Sequence, residues 1–407
     1  MTRLSKDYRE MSSPKILKQL WQPAEASLDA TMKETRANHY SKHFFGQHHL
    51  KALVLFQLTD GQSLEDLHQG INQDLRFQTF TRCPHISKSQ LSRANAKRPV
   101  EAFRQTVLQL INQLPPQTSL SDSLQTLLAH TRIFDGTSFT LNPHASPWAI
   151  YRHQTREPDA AWRMTLRIRL DTLAPDQIFT HSSSDSSANY FAGCIDFNSK
   201  GFLYLFDREY NKHQLFQRIA ESDNFFITRM KEPTCYQILK EFPVSSRLRW
   251  SLKIIKDQSV QLGKKPHHQI SSPLRRIEAM DSDGNKLVFL TNLFHLAAST
   301  IAQLYRQRWQ IELFFKWIKQ HLKIKRFLSH SLNGILLQIY AALILYLLLV
   351  LFKTSHKIQM SLFNLFRKFK RQLFILSPII LFQNYKLKQL KPQLALLRQP
   401  FGALPCF

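Results

Sequence analysis

Tyr305, Arg308, Glu312 and Lys319 follow one another at intervals of three, four and seven residues. On an α-helix, at about 100° per residue, these intervals place all four in a stripe about 60° wide. Leu304, Ile311, Phe314, Phe315, Ile318 and Leu322 occupy the neighbouring arc. The spacing therefore predicts a helix over 298–321 that packs on an apolar face. Along its edge it carries one carboxylate, two cations and a phenol. A carboxylate ligates a hard divalent metal through oxygen, and guanidinium, ammonium and phenol groups hold phosphate oxygens. The same residues also allow a plain surface ion-pair ladder, because Arg308 and Glu312 are an i,i+4 pair.

The elements that must position this helix lie upstream. The stretch Arg132 to Leu141 is rich in β-formers and places Asp135 inside or at the end of a strand. From Trp162 to Leu170, Met164, Leu166, Ile168 and Leu170 alternate with Arg163, Thr165, Arg167 and Arg169, a half-buried strand by its period of two. Phe202 to Phe206 is an apolar run ending at Asp207, Asn224 to Thr228 is another, and a helical pattern separates them. Leu287 to Thr291 resumes the strands. Strands mixed with helices and ending near carboxylates indicate an α/β sheet with its site at the strand ends. Between 232 and 285, short β-prone pieces such as Trp250 to Ile255 read as an inserted, mostly β subdomain.

The first 115 residues read as helical. Ser63 with Glu65 and Asp66, and Ser87 before a basic stretch, are helix starts. Arg93, Lys97 and Arg98 are spaced to follow a phosphate backbone, or to form a solvated basic face. Pro115-Pro116 marks a boundary. The histidines His39, His43, His48 and His49 lack a cysteine or a placed carboxylate to complete a zinc site and read as helix-surface residues. Trp250 is placed either to stack on an unpaired base or simply to pack.

Charge narrows the partner. There are 55 Lys plus Arg against 29 Asp plus Glu, a net charge of +26. The 95 residues after Glu312 hold 15 Lys or Arg and no acid. Such an excess calls for nucleic acid or an anionic membrane surface. A content of 43% hydrophobic and 12% aromatic residues excludes a largely disordered basic chain. With 10 glycines and no GxGxxG or GxxxxGK, the phosphate-cradling nucleotide folds are excluded. Cys83, Cys194, Cys235 and Cys406 form no CxxC pair, which fits a reducing cytoplasm. Met1 to Gln22 has no apolar signal core. Ile335 to Phe352 is an apolar run at the length threshold of a membrane span. It is read here as a helix buried on all sides within a large domain.

The text around the helix makes the reading more specific. Tyr305-x2-Arg308-x3-Glu312-x6-Lys319 resembles the Tyr-Arg-Glu-Lys signature of bacterial transposases of the insertion-sequence-four group. The resemblance extends over Leu304 to Gln320, Leu290-Thr-Asn292, Ser331 to Leu348, and Phe44 to Arg98 with Ser63-Leu-Glu-Asp-Leu and Ser92-Arg-Ala-Asn. It implies a DDE enzyme with a ribonuclease-H-like mixed α/β sheet and flanking helices. Asp135, in Phe134-Asp-Gly-Thr137, resembles the first acid, and Asp207, in Asp207-Arg-Glu-Tyr210, the second. Asp185 and Asp196 end no apolar strand and read as loop residues. Arg229 and Lys231 stand where the family shows basic residues facing DNA.

By the same resemblance Asp135, Asp207 and Glu312 hold two Mg²⁺ (or Mn²⁺) ions, and Tyr305, Arg308 and Lys319 contact DNA phosphates. The implied activity is cut-and-paste transposition by a cytoplasmic, nucleoid-associated homodimer. It acts on double-stranded DNA, at transposon ends and target, with no membrane. Glu209 departs from the family, which usually has Gly after Asp-Arg, so a catalytically impaired DNA-binding relative is the alternative. The expected organisation is 1–115 helical and DNA-binding, 116–231 catalytic core, 232–285 β-rich insertion, 286–352 the rest of the core, and 353–407 a basic tail.

Overall fold

The computed structural model describes residues 13–115, 127–152, 159–182, 191–244, 252–263, 270–324 and 326–374. Its helices are α1 (Ser13–Glu34), α2 (Gly46–Phe56), α3 (Leu64–Gln73), α4 (Leu75–Thr81), α5 (Lys88–Lys97), α6 (Val100–Asn112), α7 (His213–Glu221), α8 (Ala298–Arg306), α9 (Trp309–His321), α10 (Leu332–Ser355) and α11 (Leu362–Phe374). Its strands are β1 (Thr131–Leu141), β2 (Ile150–Arg152), β3 (Asp159–Arg169), β4 (Ala174–Ser182), β5 (Leu203–Phe206), β6 (Phe225–Arg229), β7 (Tyr236–Glu241), β8 (Leu252–Leu262), β9 (Leu274–Asp281) and β10 (Lys286–Thr291). The chain divides into two compact units: Met1–Leu110 with Arg326–Phe407, and Ile111–Lys325.

The first unit is helical, and its starts are those the sequence marks. Ser63 accepts the Asp66 amide while the Asp66 carboxylate accepts the Ser63 amide, and Ser87 and Gln90 exchange the equivalent bonds. Each capping box satisfies two orphan donors. Arg93 and Lys97 are exposed on α5, but Arg98 does not join them. It leaves the helix in an extended conformation as the C-cap, and its buried guanidinium donates to the Phe44 carbonyl at 2.7 Å. His39 and His43 are exposed in the connection between α1 and α2, not on a helix.

The division differs from the expected organisation at α10. Instead of completing the catalytic core, this helix packs against α1, α2, α5 and α11. Its apolar window is 83% buried, so the run that reaches membrane-span length is the core helix of this unit. Gln338, its one strongly polar member, is satisfied there: Oε1 accepts the Leu328 amide at 2.8 Å and Nε2 donates to the Arg326 carbonyl at 2.9 Å. The expected tail begins with a further helix, α11, whose Phe369 meets Phe352 edge-on at 5.1 Å.

Burial of a histidine gives this unit a pH dependence. His49 is fully buried, with Nε2 2.9 Å from Asn95 Oδ1. Burial, and then the charge of Arg98, push its pKa down to about 3. The unfolded chain protonates His49 near its ordinary value of about 6.5, so between there and about 3 the unfolded state binds the extra proton. Stability therefore falls as pH drops below about 6.5, by up to about 1.4 kcal/mol per pH unit from this group. Urea midpoints between pH 7 and 5 should show this decline, and His49→Gln should flatten it.

The second unit is built on one ten-stranded sheet, in the order β2-β3-β1-β5-β6-β10-β9-β8-β7, with β4 paired to β3. β1, β5 and β6 are parallel, and the pairs on either side are antiparallel. All four residues of β5 are buried, as a central parallel strand requires. This is the mixed α/β class expected from the sequence. The pieces expected as a separate insertion instead continue the sheet. β9 pairs with β10 from Met280–Lys286 to Arg275–Thr291, and β8 and β7 follow. Extending the ladder satisfies their backbone groups without a second core. Trp250 and Asp185 lie outside the described residues.

One face of the sheet buries an aromatic core of Phe134, Phe191, Tyr204, Phe206, Phe216 and Phe226. There α7 is held by Phe216, which stacks on Phe226 at 4.6 Å and 7°. Side chains alternate along a strand, so Ile133, Leu205 and Ile227 point to the other face. On that side α9 packs against β1, and α8 against β6 and β8.

Candidate active site

The register of the three parallel strands determines where the site forms. Ile133 pairs with Leu205, and Leu205 with Ile227. Two residues further along each strand, on the same face by alternation, stand Asp135, Asp207 and Arg229. Pairing of β1 with β5 stops at Ile133, while β1 remains paired with β3 beyond it. The ladder between the two strands therefore ends just before the two aspartates, at the carboxyl ends of parallel strands. Ligands of open α/β sheets bind at such ends. Asp135 Oδ1 accepts the Gly136 amide at 2.8 Å. Asp207 Oδ1 accepts the Arg208 amide at 2.7 Å and starts a single 3₁₀ turn, Arg208–Tyr210.

The third carboxylate arrives on α9. The expected single helix over 298–321 is two segments that meet at Gln307 and Arg308. There the amides of Gln307 and Arg308 reach the carbonyls of Leu304 and Tyr305, three residues back, at 3.0 and 2.9 Å. This tightened turn puts Arg308 at the joint. Its Nη2 donates to Glu312 Oε1 at 2.6 Å, and its guanidinium lies 5.7 Å from the Tyr305 ring centre. Tyr305 packs on Phe289 at 5.3 Å. Tyr305 Oη is buried beside the Arg308 guanidinium, and Arg308 Nε is buried without a hydrogen-bond partner; both are groups that can donate to a phosphate. Further along α9, Lys319 Nζ sits 5.3 Å from the Phe139 ring of β1.

The groups feel one another. Burial pushes the pKa of Asp135 up to about 6; the Gly136 amide and Arg308 oppose the rise, while Glu312 and Asp207 add to it. Burial likewise pushes Tyr305 up to about 12, against Arg308 and Arg229 and with Asp207. One half-buried carboxyl thus feels the charges of two others, a situation that a cation relieves. The donor set is all oxygen and fits a hard divalent ion. Among the described residues, no three His, Cys, Asp or Glu side chains are grouped closely enough to hold a metal. Glu312 is engaged by Arg308 instead.

Other residues fall into place around this site. Thr291 Oγ1 donates to the Phe226 carbonyl at 2.5 Å, and Asn292 bonds the backbone at both Phe226 and Asn224. The Leu-Thr-Asn motif therefore ties β10 to β6 just before the chain enters α8. Asp196 binds its own turn through the amides of Asn198 and Ser199 and the Ser199 hydroxyl. Arg229, where the resemblance expects a basic residue, ends the parallel strand β6 in the same row as Asp135 and Asp207.

Glu209 faces solvent, with its side chain 63% exposed and 3.4 Å from Arg163. An exposed pair of this kind contributes at most about 1 kcal/mol. Glu209→Gly should accordingly change the rate of DNA strand cleavage by no more than about fivefold, read in a single-turnover nicking assay.

Residues 129–348 match the family model described as Transposase DDE domain. A putative transposase, y4zB, of Sinorhizobium fredii is 32% identical over 280 residues, 67% of this chain and 73% of that protein. The probable transposase for insertion sequence element IS5377 of Geobacillus stearothermophilus is 25% identical over 295 residues, 72% of this chain and 74% of that protein. The putative transposase for insertion sequence element IS4SA of Synechocystis is 25% identical over 274 residues, 65% and 72% respectively. Among solved structures, the piggyBac transposase synaptic complex with hairpin DNA aligns with a TM-score of 0.44 at 11% identity, covering 91% of this chain and 81% of that one.

Proposed function

Because the chain belongs to the transposase DDE domain family, whose members cleave DNA and transfer its strands, we propose that Asp135, Asp207 and Glu312 form its metal-binding acids. The observation that carries this is the strand register, which sets Asp135 and Asp207 on adjacent parallel strands, at one level and on one face. Glu312 stands on α9, which packs against β1, and its charge adds to the raised pKa of Asp135. Use of a divalent metal follows from the family; the specific reading is two Mg²⁺ or Mn²⁺ ions. When bound, such ions lower the pKa of an attacking water and stabilise the leaving oxygen of an in-line displacement.

The protein's own groups do the rest. Arg308 neutralises a phosphate beside the scissile bond, and its buried Nε is a donor awaiting an oxygen. The Tyr305 hydroxyl, held protonated by burial, donates to the same phosphate or its neighbour. Lys319, further along α9, contacts the flanking backbone. Arg229 completes the cationic border beside Asp207. The half of the sheet from β4 to β6 is the ribonuclease-H-like core, and the helical unit, with Arg93 and Lys97 exposed on α5, grips duplex DNA. The enzyme works as a homodimer on the inverted repeats of its element, by cut-and-paste transposition, in the cytoplasm with the nucleoid.

A duplex carrying the element's terminal repeat tests this directly. The wild-type protein should nick it in Mg²⁺. Asp207→Ala and Glu312→Ala should not, while both still shift the duplex on a gel. Nicking by Asp207→Ala would remove Asp207 from the metal site.

A further inference from the structure

Besides the packing of β8 against α8, the strands beyond β10 reach the entry of the catalytic helices through a buried arginine. Arg275, on β9, is 7% exposed, and its guanidinium makes a two-pronged pair with Asp257 of β8, Nε to Oδ1 at 2.8 Å and Nη2 to Oδ2 at 2.7 Å. The remaining nitrogen, Nη1, points the other way. It donates to the carbonyls of Leu296 at 2.6 Å, Leu293 at 3.2 Å and Phe294 at 3.4 Å. Those carbonyls line the connection from β10 to α8. Phe242, just past β7, lies 5.7 Å from the guanidinium and 6.3 Å from the ring of Phe294.

The start of this connection is tied to β6 by Thr291 and Asn292, whereas its last residues before α8 are held at their carbonyls by Arg275. Ala297, the N-cap of α8, offers no side-chain bond to the first turn, although capping side chains ordinarily fix helix entry. From there α8 runs about two turns to Tyr305 and, through the tight joint, to Arg308 and Glu312. Any tilt at Ala297 is carried to the site, where a displacement of about 1 Å can cost about 10²-fold in rate.

We infer that Arg275, held by Asp257, is a positioning residue. It clamps the entry of α8 so that Tyr305, Arg308 and Glu312 meet the aspartates on β1 and β5. The proposal rests on the assignment of Glu312 to the active site. It also gives β7–β9 a task, as the rigid support from which the clamp is applied.

A purely stabilising pair would behave differently, because a buried ion pair can often be replaced by apolar residues at little cost or with a gain. The decisive variant is therefore the double replacement Asp257→Leu with Arg275→Met. With the full chain, it should fold and keep its affinity for the terminal-repeat duplex, any loss of melting temperature being limited to that of the orphaned carbonyls of Leu293, Phe294 and Leu296. Its turnover of DNA cleavage should fall about 10- to 100-fold at unchanged KM. Amide hydrogen exchange in Ala298–Arg306 should accelerate at least about tenfold, while the strands stay protected. Wild-type turnover and wild-type exchange in the double variant would overturn the clamp.

If the double variant does not fold, Arg275→Lys serves in its place. It keeps the charge against Asp257 but cannot bond two sides at once, so it should show the same loss of turnover. Full activity with unaltered exchange would overturn the proposal. Glu312→Gln, run alongside, separates the two failures. If that variant still cleaves, the site assignment falls, whereas the exchange of α8 reports on the clamp independently.

Discussion

Replacing Asp135 by Asn lowers DNA strand cleavage on the order of 10³-fold and, in the metal-free protein, raises stability at neutral pH. The two effects share one origin. The Asp135 carboxyl is half-buried, with the charges of Glu312 and Asp207 adding to the effect of burial, and its pKa stands at about 6 rather than 3.8. Below pH 3.8 it is protonated in both folded and unfolded chains and contributes nothing. Between 3.8 and 6 the unfolded chain gives up its proton first, so stability falls as pH rises. Above 6 the full cost, about 3 kcal/mol, is present. Asn removes the charge and keeps an oxygen to accept the Gly136 amide. Denaturant midpoints of the metal-free proteins should therefore lie further apart at pH 7.5 than at pH 4.5, with the variant higher. Adding Mg²⁺ should stabilise the wild type and leave the variant unchanged. The decline from His49 runs the opposite way with pH and is common to both proteins, so the difference between them isolates Asp135. A variant less stable than wild type at pH 7.5 would show that its carboxylate is not under this stress.

How much of this was visible beforehand depends on the range of the forces involved. The strands at Arg132 to Leu141 and Trp162 to Leu170 were legible because a period of two is a local property, and β1 and β3 form there within a few residues. The helix starts at Ser63 and Ser87 were legible for the same reason. Arg98 was not. Its position five residues from Arg93 suggests a shared face, but the helix ends first and the cap turns inward. The apolar run at Ile335 to Phe352 revealed that it must be buried but not by what, since uniform hydrophobicity carries no face. Three of its partners, α1, α2 and α5, lie more than 200 residues away in sequence. Likewise β-prone pieces do not announce which edge they will join, and β7–β9 join β10. At the site, helical spacing alone brought Tyr305, Arg308, Glu312 and Lys319 to one side, and the structure breaks that helix exactly once, at a turn tight enough to keep Arg308 against Glu312. That Asp135 and Asp207 stand level depends on the register of β1 against β5, which no spacing along the chain reveals.

Arg308→Met should move two measurements in opposite directions. Divalent-ion binding to the metal-free protein, followed by titration calorimetry, should tighten about fivefold, while strand cleavage falls about 10²- to 10³-fold. In the structure Arg308 Nη2 holds Glu312 Oε1 at 2.6 Å, with the two side chains 13% and 31% exposed. An incoming cation must take that carboxylate from the guanidinium, and a partly exposed ion pair of this kind contributes about 1 kcal/mol. Arg308 also lowers the proton affinity of Asp135, so its loss leaves the aspartate more strongly in need of a positive neighbour. Both changes favour the ion. Cleavage suffers because the same guanidinium, its Nε buried and unpaired, is the group placed to neutralise the scissile phosphate once Glu312 has turned to the metal. Arg308 thus exchanges one anion for another: a carboxylate at rest, a phosphate in the complex. Met approximates its length and packing against Tyr305 without its charge, so a general collapse of the α8–α9 joint would instead weaken both ion binding and cleavage. Weaker ion binding in a folded variant would sink the exchange, and unaltered cleavage would sink the phosphate role.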